Sequence, residues 1–220
     1  MYNMTIMNQV NKLNKISNLS YFGINTLSLI YPELSKSSLY SNIKRWIRQG
    51  YLIQIKKGMY VTKEYISKTK DMSSYKEFIA NKIKYPSYLS TEYVLQKYSI
   101  LSESVYSYTS ISLKTKNIYT NELGRYVYRG ITKNLFTGFD IKEVGEYQIK
   151  EATKAKALFD YLYLKLFRIS KITPNILLNL RLNLDEFSKM DIKELERYCK
   201  LADIKKYEEL NSLITKAYDI

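Results

Sequence analysis

An α+β fold in two parts is what this 220-residue sequence predicts, and three observations carry the prediction. Residues 37–62, SSLYSNIKRWIRQGYLIQIKKGMYVT, read as a basic amphipathic helix running into a pair of short strands. Between about 104 and 150 the hydrophobic period changes from 3.6 to 2. From Ala152 onwards helical spacing returns and holds towards the C-terminus. Helices on both sides of one strand-rich block describe α+β organisation.

The first part is assigned to residues 1–66. Ile6, Val10 and Leu13 share one face of a first helix. Asn25 is placed to cap a second, Thr26–Ile30, because its side-chain oxygen can accept from an unpaired backbone N–H. Tyr31-Pro32 ends that helix, since a residue before proline is driven out of the α region. Ser35 or Ser37 then caps a third helix, in which Leu39, Ile43, Trp46 and Ile47 recur at the spacing of one buried face. Gly50 stops it, Tyr51–Ile55 alternates as a strand, Lys56-Lys57-Gly58 turns, and Met59–Thr62 returns. Three helices followed by a two-stranded wing constitute a winged helix-turn-helix.

Removing the core positions from the third helix leaves Ser37, Ser38, Tyr40, Ser41, Lys44, Arg45 and Arg48. Hydroxyls, an aromatic ring and three cations suit a helix that enters a major groove and touches phosphates. Lys56 and Lys57 place two more cations on the wing turn. These nine residues are the candidate DNA-binding set. A charged helix face is more often merely solvated; the basic wing beside it is what favours DNA. Net charge is +14, and residues 1–70 hold eleven Lys and Arg against only Glu33 and Glu64. The excess sits where nucleic-acid binding needs it.

Composition also excludes. There is no histidine and one cysteine, which removes histidine-based catalysis, disulfides within the chain and ordinary structural zinc. None of the seven glycines forms a G-x-G-x-x-G or Walker loop. No catalytic residue, metal or cofactor is therefore expected. Cys199, on a face with Leu195 and Ala202, reads as a small buried residue. The N-terminus lacks a signal-peptide pattern and no apolar run spans a bilayer, so the expectation is a cytoplasmic protein with no membrane partner. Glu122 with Asp140-Ile141-Lys142 loosely matches the acidic and D-x-K arrangement of metal-dependent nucleases. Solvent-facing charge is the plainer reading of those residues.

Residues 67–74 read as a linker and 75–220 as a second α+β domain with a small antiparallel sheet and a helical C-terminus. A helix through Phe78, Ile79 and Ile83 precedes Tyr85-Pro86, and Ser90 or Thr91 caps the next. VYSYTSISL, RYVYRGI, NLFTGFDI and EYQI read as strands, with turns at Gly138 and Gly145. Many of the 23 tyrosines fall here; as half-buried strand residues they need no ligand. Ala152–Phe167 is a strong helix, Thr173-Pro174 starts another, Asp191 with Glu194 resembles a capping box, and 204–217 form the last. Lys156 and Asp160, four apart, form a structural ion pair.

In this order the pieces resemble the AbiEi family, antitoxins of abortive-infection (phage-resistance) type IV toxin–antitoxin systems. The match rests on Gly58 with Tyr60 in KKGMYV, on Tyr88-Leu89-Ser90, and on Ala152-Thr153 with Lys156-Ala157-Leu158 through Asp160. It runs from about residue 20 to 210; Ala155 departs from it, standing where a glutamate is expected. The resemblance implies a repressor that binds inverted repeats in its own promoter, on double-stranded DNA; a dimer on DNA is one arrangement left open. It further implies a C-terminal domain that counteracts a nucleotidyltransferase-like toxin without needing a direct complex. Two other classes stay open. One is a winged-helix transcription regulator whose C-terminal domain dimerises or senses a ligand. The other is an enzyme, either a nuclease using Glu122, Asp140 and Lys142 or a toxin-modifying domain.

Overall fold

A computed structural model of the chain describes residues 11–185 and 187–218, so Ile6 and Val10 of the expected first helix lie outside the described residues. The described chain is mixed α+β and divides into two compact units. One holds the described residues up to Tyr75 with Tyr119–Gly124; the other holds the remainder.

In the first unit, residues 11–13 are helical and run into a 3-10 turn, Asn14–Ile16. Strand β1, Phe22–Gly23, leads directly into the helix Ile24–Ile30. The helix Lys36–Arg48 follows, then β2, Leu52–Lys56, and β3, Met59–Thr62. β1 pairs antiparallel with β3, Phe22 opposite Tyr60, which gives a three-stranded sheet in the order β1-β3-β2. Leu13, Ile16, Phe22, Leu27, Tyr31, Leu39, Ile43, Trp46, Leu52 and Tyr60 form one core. The Tyr31 and Trp46 rings meet at its centre, 5.0 Å apart. Burial of two aromatics of this size dominates the energetics of so small a core.

Two local expectations change. Asn25 is not a cap: the helix starts at Ile24 with Gly23 in the cap position, and Asn25 is exposed within it. Pairing of Gly23 with Met59 keeps the chain extended up to that residue, which fixes the helix start. The segment 67–74 is largely helical. A helix Lys63–Lys68 is capped by the Thr62 hydroxyl, and the helix Met72–Ile83 begins two residues after Lys70. Tyr65 and Tyr75 hold this stretch, buried with their rings 5.4 Å apart.

The second sheet has six strands, not a small antiparallel few. They are β4 (Ser87–Leu89), β5 (Ser107–Ser112), β6 (Asn117–Asn121), β7 (Gly124–Gly130), β8 (Phe139–Val144) and β9 (Tyr147–Ala152). Their order is β6-β7-β5-β4-β9-β8. β4 runs antiparallel to β5 but parallel to β9, and β5 runs parallel to β7, so the sheet is mixed. The three buried residues of β4 show no alternation, which is why a period-2 search passes over a central strand.

The helix Lys154–Lys165 starts at β9, with the Thr153 hydroxyl accepting from the Lys156 backbone N–H. Every residue from Ala155 to Tyr163 is buried, so this helix is covered on all sides. Pro174–Leu178, Lys189–Leu201, Lys205–Glu208 and Leu210–Tyr218 complete the unit. The capping box before Lys189–Leu201 is Ser188 with Asp191 rather than Asp191 with Glu194.

Candidate functional site

The helix Lys36–Arg48 is held to the first unit by Leu39, Ile43 and Trp46, all buried, and its outer face follows from that anchoring. Ser37, Ser38, Tyr40, Ser41, Lys44 and Arg48 are exposed, as is Lys36 in the first turn. The Ser35 hydroxyl accepts from the Ser38 backbone N–H at 3.2 Å, so Ser35 rather than Ser37 is the cap. It also lies 3.0 Å and 2.9 Å from the Ser37 and Ser38 hydroxyls. Three serine oxygens thus crowd one helix end with proton positions free to rotate.

Arg45 sits differently from its neighbours. It is half-buried, and its guanidinium donates to the Asn42 side-chain oxygen at 2.7 Å. The cations that face solvent freely along this helix are therefore Lys36, Lys44 and Arg48. On the hairpin, Lys57 is exposed in the turn, Lys56 is half-buried at the end of β2, and Gly58 takes φ +79°. That left-handed backbone is why the turn residue is glycine.

The remaining candidate residues are spread out. Glu122 pairs with Lys63. Asp140 is exposed on β8, whereas the Lys142 ammonium is 2.5 Å from Oε1 of Glu151. Among the described residues no group of three or more His, Cys, Asp or Glu side chains is placed to hold a metal ion. Cys199 is buried, and burial pushes its thiol up to about 12.

Two polar clusters in the second unit were not legible as clusters beforehand. In one, buried Glu151 accepts from Lys97 at 2.6 Å and from Lys142 at 2.5 Å, while Lys97 and Tyr93 also reach Glu77 at 2.9 Å and 2.7 Å. Burial would lower the Lys97 ammonium, but the two carboxylates outweigh it and raise it. In the other, Lys156 and Asp160 pair at 2.5 Å with both side chains fully buried. The second Asp160 oxygen accepts from the Tyr88 hydroxyl at 3.0 Å and from the Ser90 hydroxyl at 2.7 Å. Burial pushes the Asp160 carboxyl above its ordinary range, against the pull of Lys156, Ser90 and Tyr88. Ser90 is thus spent on Asp160 and does not cap the helix Glu92–Lys97, whose cap position is Thr91 with no side-chain cap bond. Lys156 also lies 4.9 Å and 5.1 Å from the Phe159 and Tyr198 ring centres, a desolvated cation–π arrangement.

Tyr88, Ser90, Lys156 and Asp160 are among the residues on which the family resemblance rests. Their separation in the chain hid the cluster; the i, i+4 spacing of Lys156 and Asp160 was the only local signal. Among the described residues, no helix is long and apolar enough to cross a membrane. In comparisons with known proteins, neither a family model nor a curated sequence matches the chain.

Proposed function

We propose that this chain is a DNA-binding repressor and antitoxin of the abortive-infection type, with no catalytic site of its own. On this reading the first unit is a winged helix-turn-helix. The helix Lys36–Arg48 enters the major groove, and the hairpin β2–β3 is the wing. One observation supports this most: Tyr40, Ser41, Lys44 and Arg48 are all exposed on a single helix face, while the opposite face is anchored by fully buried Trp46. Lys57 adds a cation at the hairpin turn. Phosphate contacts of this sort set register, and the polar groups near the helix N-terminus read base edges.

The target is the chain's own promoter, bound as a dimer at inverted repeats. The second unit counteracts a nucleotidyltransferase-like toxin; the ordered resemblance from about residue 20 to 210 supports that half of the proposal. Binding of the full chain to the DNA upstream of its reading frame, followed across salt concentration, tests the first half. If about four cations (Lys36, Lys44, Arg48 and Lys57) neutralise phosphates, log affinity falls with log salt with a slope near −3.6, or about −4.5 if Arg45 joins them. A slope near zero removes the DNA-binding reading. Co-expression with the adjacent reading frame tests the second half. Restored growth supports an antitoxin, and a harmless neighbour overturns it.

A further inference from the structure

Strand β8 forms one edge of the six-stranded sheet. The hairpin joining it to β9 settles which of its backbone groups face outward. Gly145 takes φ +58° in the two-residue turn between Val144 and Tyr147. Glycine at the first central position marks a tight hairpin turn, whose flanking residues exchange hydrogen bonds. Alternation from that pair turns the N–H and C=O of Lys142 and Asp140 towards β9 as well, opposite Ile149 and Glu151. Two other sets of bonds agree in phase. The Thr153 N–H donates to the Gly138 carbonyl at 3.1 Å. The N–H and C=O of Lys150, which stands opposite Ile141, are both taken by the Asn81 side chain, at 2.6 Å and 3.3 Å. Phe139, Ile141 and Glu143 therefore point their backbone groups away from the sheet, where among the described residues nothing pairs with them.

An open edge is a template for another strand, and charged side chains ordinarily discourage such pairing. Those of β8 are instead arranged to complement themselves. Asp140 and Lys142 share one face, while Ile141, 58% exposed, lies on the other with Phe139 and Glu143. A two-fold axis relating two copies of this chain would pair β8 with itself antiparallel. With the axis at Ile141, the outward groups of Ile141 bond their own counterparts, and those of Phe139 bond those of Glu143. Asp140 of each copy then stands directly opposite Lys142 of the other, in the closer, non-hydrogen-bonded pairing. Moving the axis one residue either way sets Asp140 against Asp140 or Lys142 against Lys142. Asp140 is exposed and lies opposite Glu151 within its own hairpin, so it gains a cation where it now faces a carboxylate. The half-buried Lys142 ammonium donates to Glu151 and Tyr98, which leaves one of its three donors for Asp140 of the other copy.

We propose that β8 is a homodimer interface, at which two copies of the chain join their sheets edge to edge with the axis at Ile141. Backbone hydrogen bonds supply the attachment, the paired Ile141 side chains add an apolar contact, and the two Asp140–Lys142 pairs select the register. Such a dimer supplies the two-fold that inverted repeats call for. It forms without DNA, so its failure leaves the DNA-binding reading to the salt titration.

The test is sedimentation equilibrium of the full chain without DNA, at concentrations up to roughly 100 µM. The mass is expected to rise with concentration from 26.0 kDa towards twice that value. Ile141→Pro removes the N–H at the axis, and an edge strand tolerates proline where that N–H faces away from the ladder. The variant should keep its circular dichroism spectrum and stay monomeric. Should it unfold, Asp140→Lys sets like charges opposite one another and should weaken the dimer several-fold. Ile141→Cys reads the register. Residues paired in this way have Cα atoms about 5.5 Å apart, within disulfide reach, so oxidation should yield a covalent dimer. Cys199 is buried and does not compete. Glu143→Cys, opposite Phe139 rather than its own counterpart, should not cross-link. A monomer at every concentration overturns the proposal. So does a dimer unchanged in folded Ile141→Pro or Asp140→Lys protein, or one in which Glu143→Cys cross-links as readily as Ile141→Cys.

Discussion

The ammonium of Lys156 lies 2.5 Å from Oδ1 of Asp160, one helical turn away, and neither side chain touches solvent. Burying two charges is costly, and their attraction offsets that only when the remaining valences are filled, as Tyr88 and Ser90 fill those of Asp160. Lys156→Met strands a buried carboxylate and is expected to cost about 3–5 kcal/mol in urea unfolding. The double variant Lys156→Met, Asp160→Leu removes the stranded charge as well, and exchanging a whole buried ion pair for apolar side chains is often close to neutral. It should therefore unfold at higher urea than Lys156→Met alone. Equal midpoints would show that the two residues do not act as a pair.

Gly138 is fixed by the same neighbourhood. It takes φ +76°, and a methyl group there would run into the Tyr198 hydroxyl and crowd Cγ of Lys156. Gly138→Ala should destabilise by more than roughly 1 kcal/mol, through backbone strain and collision together. Adding Tyr198→Phe removes the colliding oxygen and should recover part of the loss in thermal unfolding. If it recovers none, the Tyr198 hydroxyl is not what excludes a side chain at 138, and the ring carbon, Lys156 and the left-handed backbone account for the glycine.

Trp46 and Arg48 are two residues apart on one helix and should separate folding from binding. Trp46 is fully buried, and Trp46→Ala is expected to cost about 3–5 kcal/mol, which is enough to unfold a small core. Arg48 is exposed, and Arg48→Ala should leave the circular dichroism melt unchanged while reducing the salt slope of DNA binding by about one unit. Arg45→Ala lies between them, since it also removes the bond to Asn42. A shifted melt for Arg48→Ala would contradict its placement.

Asp191 provides a pH-dependent test. Its partial burial would raise the carboxyl, but hydrogen bonds from Ser188 and Lys154 outweigh that and hold it below its ordinary range. Because the folded-state value is depressed, the stabilisation is present above the ordinary carboxylate range and is lost as pH falls through the lowered value. At neutral pH, Asp191→Ala should cost about 0.5–2 kcal/mol, the usual worth of a cap. Melts recorded towards acid pH should show the difference between the two proteins narrowing.

Period and punctuation made several elements legible. The i, i+4, i+7 spacing of Leu39, Ile43 and Trp46 placed the basic helix with its buried face inward. Alternation in RYVYRGI located β7, and the glycines at 58 and 145 marked turns that do take the left-handed conformation. β4 escapes the pattern because it is only three residues long, all of them buried, too short a run to show a period. The end of Lys63–Lys68 and the start of Met72–Ile83 resemble a linker in sequence because two buried tyrosines, rather than an apolar stripe, hold their junction.

What the sequence determined by itself is what repeats locally: the buried face of its basic helix, the positions of β5 and β7, the concentration of charge in residues 1–70, and the chemistry excluded by having no histidine. What only the tertiary structure decided is long-range. The parallel pairing of β4 with β9 sets Leu89 opposite Glu151. Tyr88 and Ser90 meet Asp160 seventy residues or more along the chain. Arg45 turns from solvent to Asn42. A short-range pattern records which way a side chain faces, but hydrogen-bond partners and cavities depend on which distant segments pack together, and no local spacing encodes that.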